Sequence, residues 1–223
     1  MKGKRKRRGK GPGKLIGILA VSAAAVLFVI MAGRYVNAWQ AAEDERLSAQ
    51  KAEAALQSVT VRAVVDGDTL LLTDDTKVRL LGIDAPESVH QDKKRNSIYG
   101  EMASEHLHEL VRGGDRVWIL RPGATDAVSD GADLRESDNY GRLLRLVWTD
   151  RPDLEGGLTE EVLSESLNAR MLRDGYAVLY VMEEDEPYEE LFYMIQKEAD
   201  SAGSGLWSEE GWRAYAALNY FGK

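Results

Sequence analysis

The stretch VVDGDTLLLTDDTKVRLLGIDAPE, residues 64–87, constrains the fold more than any other part of the chain. Asp66-Gly67-Asp68-Thr69 separates two apolar runs, residues 59–65 and 70–72, and so reads as a tight hairpin turn. In the first run Val59, Val61, Ala63 and Val65 alternate with other positions, the pattern of a half-buried strand. A second turn at residues 73–76 returns the chain into a strand over 77–83. That strand carries Arg79 and stops at Asp84-Ala85-Pro86-Glu87, because proline has no N–H to give a ladder. Three consecutive strands thus gather Asp68, Arg79, Asp84 and Glu87 around one end of a small sheet. Carboxylates brought together repel one another unless a cation sits among them. Two aspartates offer hard oxygen atoms, a match for calcium rather than zinc, which prefers nitrogen and sulfur.

Further pieces lie downstream in order: YGEMA at 99–103, DNYGR at 138–142, LNARMLRDGYA at 167–177 and GLW at 205–207. Together with DGDT and RLLGIDAPE they resemble the staphylococcal nuclease (thermonuclease) family over residues 58–210. The resemblance implies an α+β fold, a five-stranded OB-type β-barrel with three packed α-helices. It also implies a calcium-dependent phosphodiesterase acting on DNA, with RNA left open, that cuts at the 5′ oxygen and leaves 3′-phosphate ends. Asp68 and Asp84 would hold the ion, and the resemblance adds the backbone carbonyl of Ala85.

Phosphodiester hydrolysis needs an in-line nucleophile and positive charge on the non-bridging oxygens. Glu87 is the remaining carboxylate, free to activate or orient the attacking water. Arg79 and Arg142 come from different strands and can clamp a phosphate with paired N–H donors. Tyr140 and Tyr180 are candidates for stacking on a base, or for the core. Tyr180 matches a pocket tyrosine of the family, whereas Met182 stands where a second aromatic is expected. Lys93 and Lys94, with Arg95, lie in a polar loop over 88–98 that either contacts phosphates or is simply solvated. Asp66 reads as a turn residue and Asn168 as structural.

The N-terminus follows a different plan. Residues 1–14 hold eight Lys/Arg, and residues 15–32, LIGILAVSAAAVLFVIMA, carry no charge. Basic residues before an apolar run of that length indicate either a transmembrane anchor over 15–34 or a secretory signal, cut near Val36-Asn37-Ala38. Either way the rest of the chain is exported, outside the membrane. Residues 35–57 favour helix and read as a spacer outside the fold, and residues 211–223 as a C-terminal tail.

Helices are expected over 101–111, 159–173 and 188–200, with strands over 115–120, 142–148 and 176–181. Trp207 is expected to cap the core against the last helix. The acidic insertion at 122–137 lacks the spacing of a calcium-binding helix–loop–helix and reads as solvated. Three histidines, His90, His106 and His108, form no metal-ligand pattern, and there is no cysteine.

Charge opposes the nuclease reading. Of 29 Lys/Arg, nine fall in residues 1–34 without an acid; the other 20 face 37 acids, a net of −17. An acidic body approaches a polyanion poorly, so substrate binding should be weaker than in a basic relative. Two other functions compete. One is a non-catalytic OB-type barrel that binds nucleic acid, and the other an anchored acidic domain for a basic protein partner. A pure binder has no need of Asp68, Arg79, Asp84, Glu87 and Arg142 together.

Overall fold

A computed structural model of the chain describes residues 13–88, 97–120, 137–181 and 188–220, with side chains from residue 25 onward. Five strands close into a barrel: β1 (Gln57–Asp66), β2 (Thr69–Leu72), β3 (Lys77–Leu80), β5 (Arg116–Leu120) and β6 (Leu143–Trp148). Their order is β1-β2-β3-β6-β5, with β3 and β6 parallel and the other pairings antiparallel. Together with the helices this is the expected OB-type α+β fold.

Two strands depart from simple alternation. β1 is irregular between Val61 and Ala63 and again between Val64 and Asp66. Each irregularity shifts which side chains face inward, so Val61 and Val64 are buried while Ala63 and Val65 are only partly so. The strand expected over 77–83 breaks at Leu81-Gly82. Gly82 takes φ 78°, and a Cβ there would lie 2.6 Å from the Tyr188 ring. After this turn β4 (Ile83–Asp84) leaves the barrel and pairs with β7 (Val178–Leu179).

Helix α2 (Ile98–Leu110) starts at Ser97, whose hydroxyl accepts from the Gly100 N–H, and buries Ala103 and Leu107. The helix expected over 159–173 is two helices, α3 (Glu160–Ser164) and α4 (Leu167–Arg173). Ser166 makes the break. Its backbone is extended, and its Oγ donates to Leu163 O at 2.6 Å and accepts from Ala169 N at 3.1 Å. The break sets Asn168 inside the fold, where Oδ1 accepts from Val147 N and Nδ2 donates to Leu81 O and Arg145 O. Helix α5 (Glu189–Ala202) ends at Gly203 in the left-handed region.

One apolar cluster fills the barrel and continues to α2, α4 and α5. A second joins Val178, Ala199, Leu206 and Trp207 to Trp212 and Ala216. The last two belong to helix α6 (Trp212–Asn219), so residues expected to form a tail pack into the core instead. Trp207 lies in a short 3-10 turn, Gly205–Ser208.

At the other end, helix α1 (Gly13–Ala55) spans two compact units, residues 1–44 and 45–223. In the second unit Ala49 and Ala52 are buried and Glu53 pairs with Arg151. The second half of the expected spacer is therefore part of the fold. Among the described residues no helix is long and apolar enough to cross a membrane. The apolar run 15–32 begins where side chains lie outside the described set.

Candidate active site

The site grows from the β1–β2 turn. Asp66 Oδ1 accepts from Asp68 N at 3.1 Å, the local bond that closes the turn. Gly67 is required by packing: a Cβ would lie 2.7 Å from Ala85 Cβ and 2.8 Å from Ala103 Cβ. The turn can thus press against both α2 and Ala85. Asp68, 3% exposed, is tied on every side. Its Oδ1 accepts from Thr69 Oγ1 at 2.9 Å and pairs with Arg79 Nη1 at 2.6 Å, and its Oδ2 accepts from Ala85 N at 2.9 Å.

Arg79 faces Thr69 across the β2–β3 ladder. Its second nitrogen, Nη2, reaches Asp84 Oδ1 at 2.5 Å and Ile83 O at 3.2 Å. The Gly82 turn makes this possible by bending Asp84 back toward the strand it left. Arg79 is thus committed to both aspartates before any substrate arrives, an arrangement beyond the simple phosphate clamp expected from sequence. Burial opposes the charge on Arg79, but Asp68 and Asp84 outweigh it and raise its pKa. Burial also lifts the Asp84 carboxyl above the usual range, against Arg79 and helped by Asp68 and Glu87. Asp66 is raised likewise, by burial first and then by Asp68. Burial is thus the first cause of both raised carboxyls.

Arg142 approaches from the loop before β6. Asp138 holds it twice, with Oδ1 accepting from its backbone N at 2.9 Å and Oδ2 from Nε at 2.7 Å. Arg142 Nη1 then donates to Thr69 Oγ1 at 3.1 Å, which joins it through Thr69 to Asp68. Its guanidinium also lies 5.6 Å from the centre of the Tyr140 ring. Asp138 and Thr69 were absent from the candidates drawn from sequence, although both sit in quoted motifs. The legible signals were an acid four residues before Arg142 and a hydroxyl directly after Asp68.

The remaining candidates take different positions. Glu87 is half-buried and close enough for its charge to act on Asp84. Its backbone oxygen accepts from Ser97 N at 3.0 Å, which ties it to the start of α2. Tyr140 is 86% exposed and Tyr180 45% exposed, so both rings are open to solvent rather than core. The Tyr180 N–H donates to Gly82 O at 3.0 Å, placing it beside the turn that delivers Asp84. Lys93, Lys94, Met182 and nearly all of the 122–137 insertion lie outside the described residues.

Among the described residues no three of His, Cys, Asp and Glu converge as a ready metal cluster. The donor set is leaner: two carboxylates and the adjacent Ala85 backbone. It fits a hard divalent ion that completes its shell with water and substrate oxygen. A cavity of about 440 Å³, lined by Trp148, Arg151, Thr159 and Arg170 among others, shares no residue with this cluster.

The fold and site define an α+β protein whose OB-type barrel carries paired acids and two arginines at one end. The chain belongs to the staphylococcal nuclease homologue family, whose model matches residues 77–209. It is 32% identical over 176 residues to endonuclease YncB of Bacillus subtilis (strain 168), covering 76% of this chain and 70% of that protein. It is 34% identical over 164 residues to the SPbeta prophage-derived endonuclease YokF of the same strain, covering 70% of this chain and 46% of YokF. The thermonuclease of Staphylococcus intermedius is 24% identical over 186 residues, 82% of this chain and 92% of that protein.

Proposed function

We propose that this chain is an exported, calcium-dependent endonuclease that hydrolyses DNA, with RNA left open, at low sequence specificity. The observation that carries this reading is the junction of Asp68, Arg79 and Asp84 with Arg142 through Thr69. Relatives named endonuclease and thermonuclease support nuclease function. Asp68, Asp84 and the Ala85 carbonyl would hold the calcium. When bound, the ion supplies positive charge to a phosphate oxygen and a template for the scissile bond.

The chain's own residues do the rest. Glu87 orients the attacking water and takes its proton. The water oxygen bonds to phosphorus as the bond to the 5′ oxygen breaks, and the leaving oxygen takes a proton from solvent water. The products are a 3′-phosphate and a 5′-hydroxyl. Arg142 donates N–H groups to the non-bridging oxygens as charge builds on them, and Arg79 adds the N–H groups that Asp68, Asp84 and Ile83 leave over. The exposed rings of Tyr140 and Tyr180 offer stacking faces that suit any base, which favours single-stranded or frayed substrate. Lys93 and Lys94 add phosphate contacts from the 89–96 segment. The basic flank 1–14 and apolar run 15–32 support export, either anchored in the membrane or after cleavage.

The 223-residue chain should be incubated with single-stranded DNA in calcium and in excess chelator, beside Glu87→Gln and Arg142→Ala. Calcium-dependent cleavage that both substitutions abolish, with 3′-phosphate ends, is the expected result. Binding without cleavage would instead make the barrel a non-catalytic module. Export is checked separately, by asking whether external protease digests the domain on intact cells; complete protection would overturn it.

A further inference from the structure

We propose that Tyr99 is a positioning residue for Glu87, and that helix α6 acts on the site through it. The inference rests on the nuclease reading above, in which Glu87 orients the attacking water. It extends that reading to residues beyond the matched family domain, which ends at residue 209.

The first turn of α2 lies against the peptide that carries Glu87. Ser97 N donates to Glu87 O at 3.0 Å. A Cβ on Gly100 would sit 2.3 Å from Glu87 O and 2.6 Å from Ser88 N, so only a bare backbone comes this close. Ser97 Oγ fixes the same turn by accepting from Gly100 N at 3.1 Å. Where Glu87 sits therefore depends on where this one turn sits.

Tyr99 belongs to that turn, and its side chain reaches α6. The hydroxyl donates to Glu210 O at 3.0 Å, across 111 positions of sequence. It arrives where the chain is bare, since a Cβ on Gly211 would lie 3.1 Å from it. The ring meets Trp212 edge-on at 5.3 Å and lies beside Tyr215 at 5.2 Å.

Helix α6 is itself anchored beside the other acid-bearing segment. Trp212 is buried and packs edge-on against Trp207 at 5.8 Å, in the apolar cluster that includes Val178. Val178 is the register partner of Asp84 in the β4–β7 pair. One buried cluster thus backs the strand opposite Asp84 and, through Tyr99, the turn behind Glu87. It sets the placement of one acid relative to the other. Small errors there are costly, because a misplacement on the order of 1 Å can lower a rate by about 100-fold.

The test uses the 223-residue chain with Tyr99→Phe, which loses only the bond to Glu210 O, and Tyr99→Leu, which also loses the ring. Leu218→Ser, on the exposed side of α6, is the control. Cleavage of single-stranded DNA is assayed below all unfolding midpoints to give kcat and KM. Hydrogen exchange followed by NMR compares Ser97 N–H, bonded to Glu87 O, with the barrel N–H of Leu80, bonded to Asp68 O. Tyr99→Leu should lower kcat by about 100-fold and Tyr99→Phe by about 5-fold, with KM unchanged. Exchange at Ser97 should quicken in the same order while Leu80 stays as it was, and Leu218→Ser should change neither. Unchanged kcat in Tyr99→Phe overturns the proposal, and that variant decides if Tyr99→Leu does not fold. A fall in kcat with Ser97 exchange unaltered also overturns it, because Tyr99 would then act elsewhere than on Glu87. If the unsubstituted chain cleaves no DNA, the nuclease reading itself fails and takes this inference with it.

Discussion

The two arginines of the site occupy different kinds of structure. Arg79 lies on a barrel strand, its side chain 12% exposed, between two carboxylates that need it for neutralisation. Arg142 starts from a loop, its side chain 21% exposed, held by Asp138 and lightly joined to Thr69. One positive charge is built into the fold, and the other is held at its edge. From the contrast we expect a charge held at the edge to be altered at less cost than one that neutralises buried acids, which carries stability as well as chemistry.

The largest expected effect is therefore on Arg79→Ala. Removing it leaves Asp68 buried beside other acids, so the variant should lose activity and about 3 kcal/mol of stability in urea unfolding. Wild-type stability in that variant would break the comparison. Arg142→Ala should lower the cleavage rate by about 10²- to 10³-fold at a stability cost of no more than about 1 kcal/mol. Arg142→Lys should recover little of that rate, because a point charge does not reproduce the fork between Asp138 and Thr69. Tyr140→Ala should raise KM for single-stranded DNA by about 10-fold and leave the unfolding midpoint in place, since the ring is exposed.

The smallest effect concerns pH. Burial acts to raise the Asp138 carboxyl, but hydrogen bonds from Arg142 and then Tyr140 outweigh it, and its pKa falls below the ordinary 3.8. A carboxyl lowered on folding stabilises the protein fully above its unfolded pKa and loses that contribution as pH falls through the folded one. Urea unfolding across the acid range should show a drop below about pH 3.8 that Asp138→Asn lacks. An identical pH profile in the two proteins would place Arg142 outside the control of Asp138.

Legibility in the sequence followed distance along the chain. Asp68, Arg79 and Asp84 were readable as neighbours because consecutive short strands hold them, so turn chemistry alone brings them close. Arg142 was readable only as a motif. Its bond to Thr69 spans 73 positions and depends on β6 lying parallel to β3, a pairing no local signal encodes. The Ser166 break was hidden for a related reason. Serine is tolerated within a helix, and here its side chain closes one helix and caps the next, which seats Asn168 in the core. Helix α6 was missed because its short aromatic pattern has little meaning until Tyr99 stands beside it.

By itself, then, the sequence determined the barrel strands, the acidic turn and the residue types that can hold a hard cation. These follow from alternation, turn residues and proline, all of which act over a few positions. Tertiary structure alone decided that Arg79 binds both Asp68 and Asp84, that Asp138 and Thr69 carry Arg142, and that residues after 210 pack beside Tyr99 at the start of α2. Those contacts arise when distant segments compete for the same buried space, where an unpaired polar group is costly.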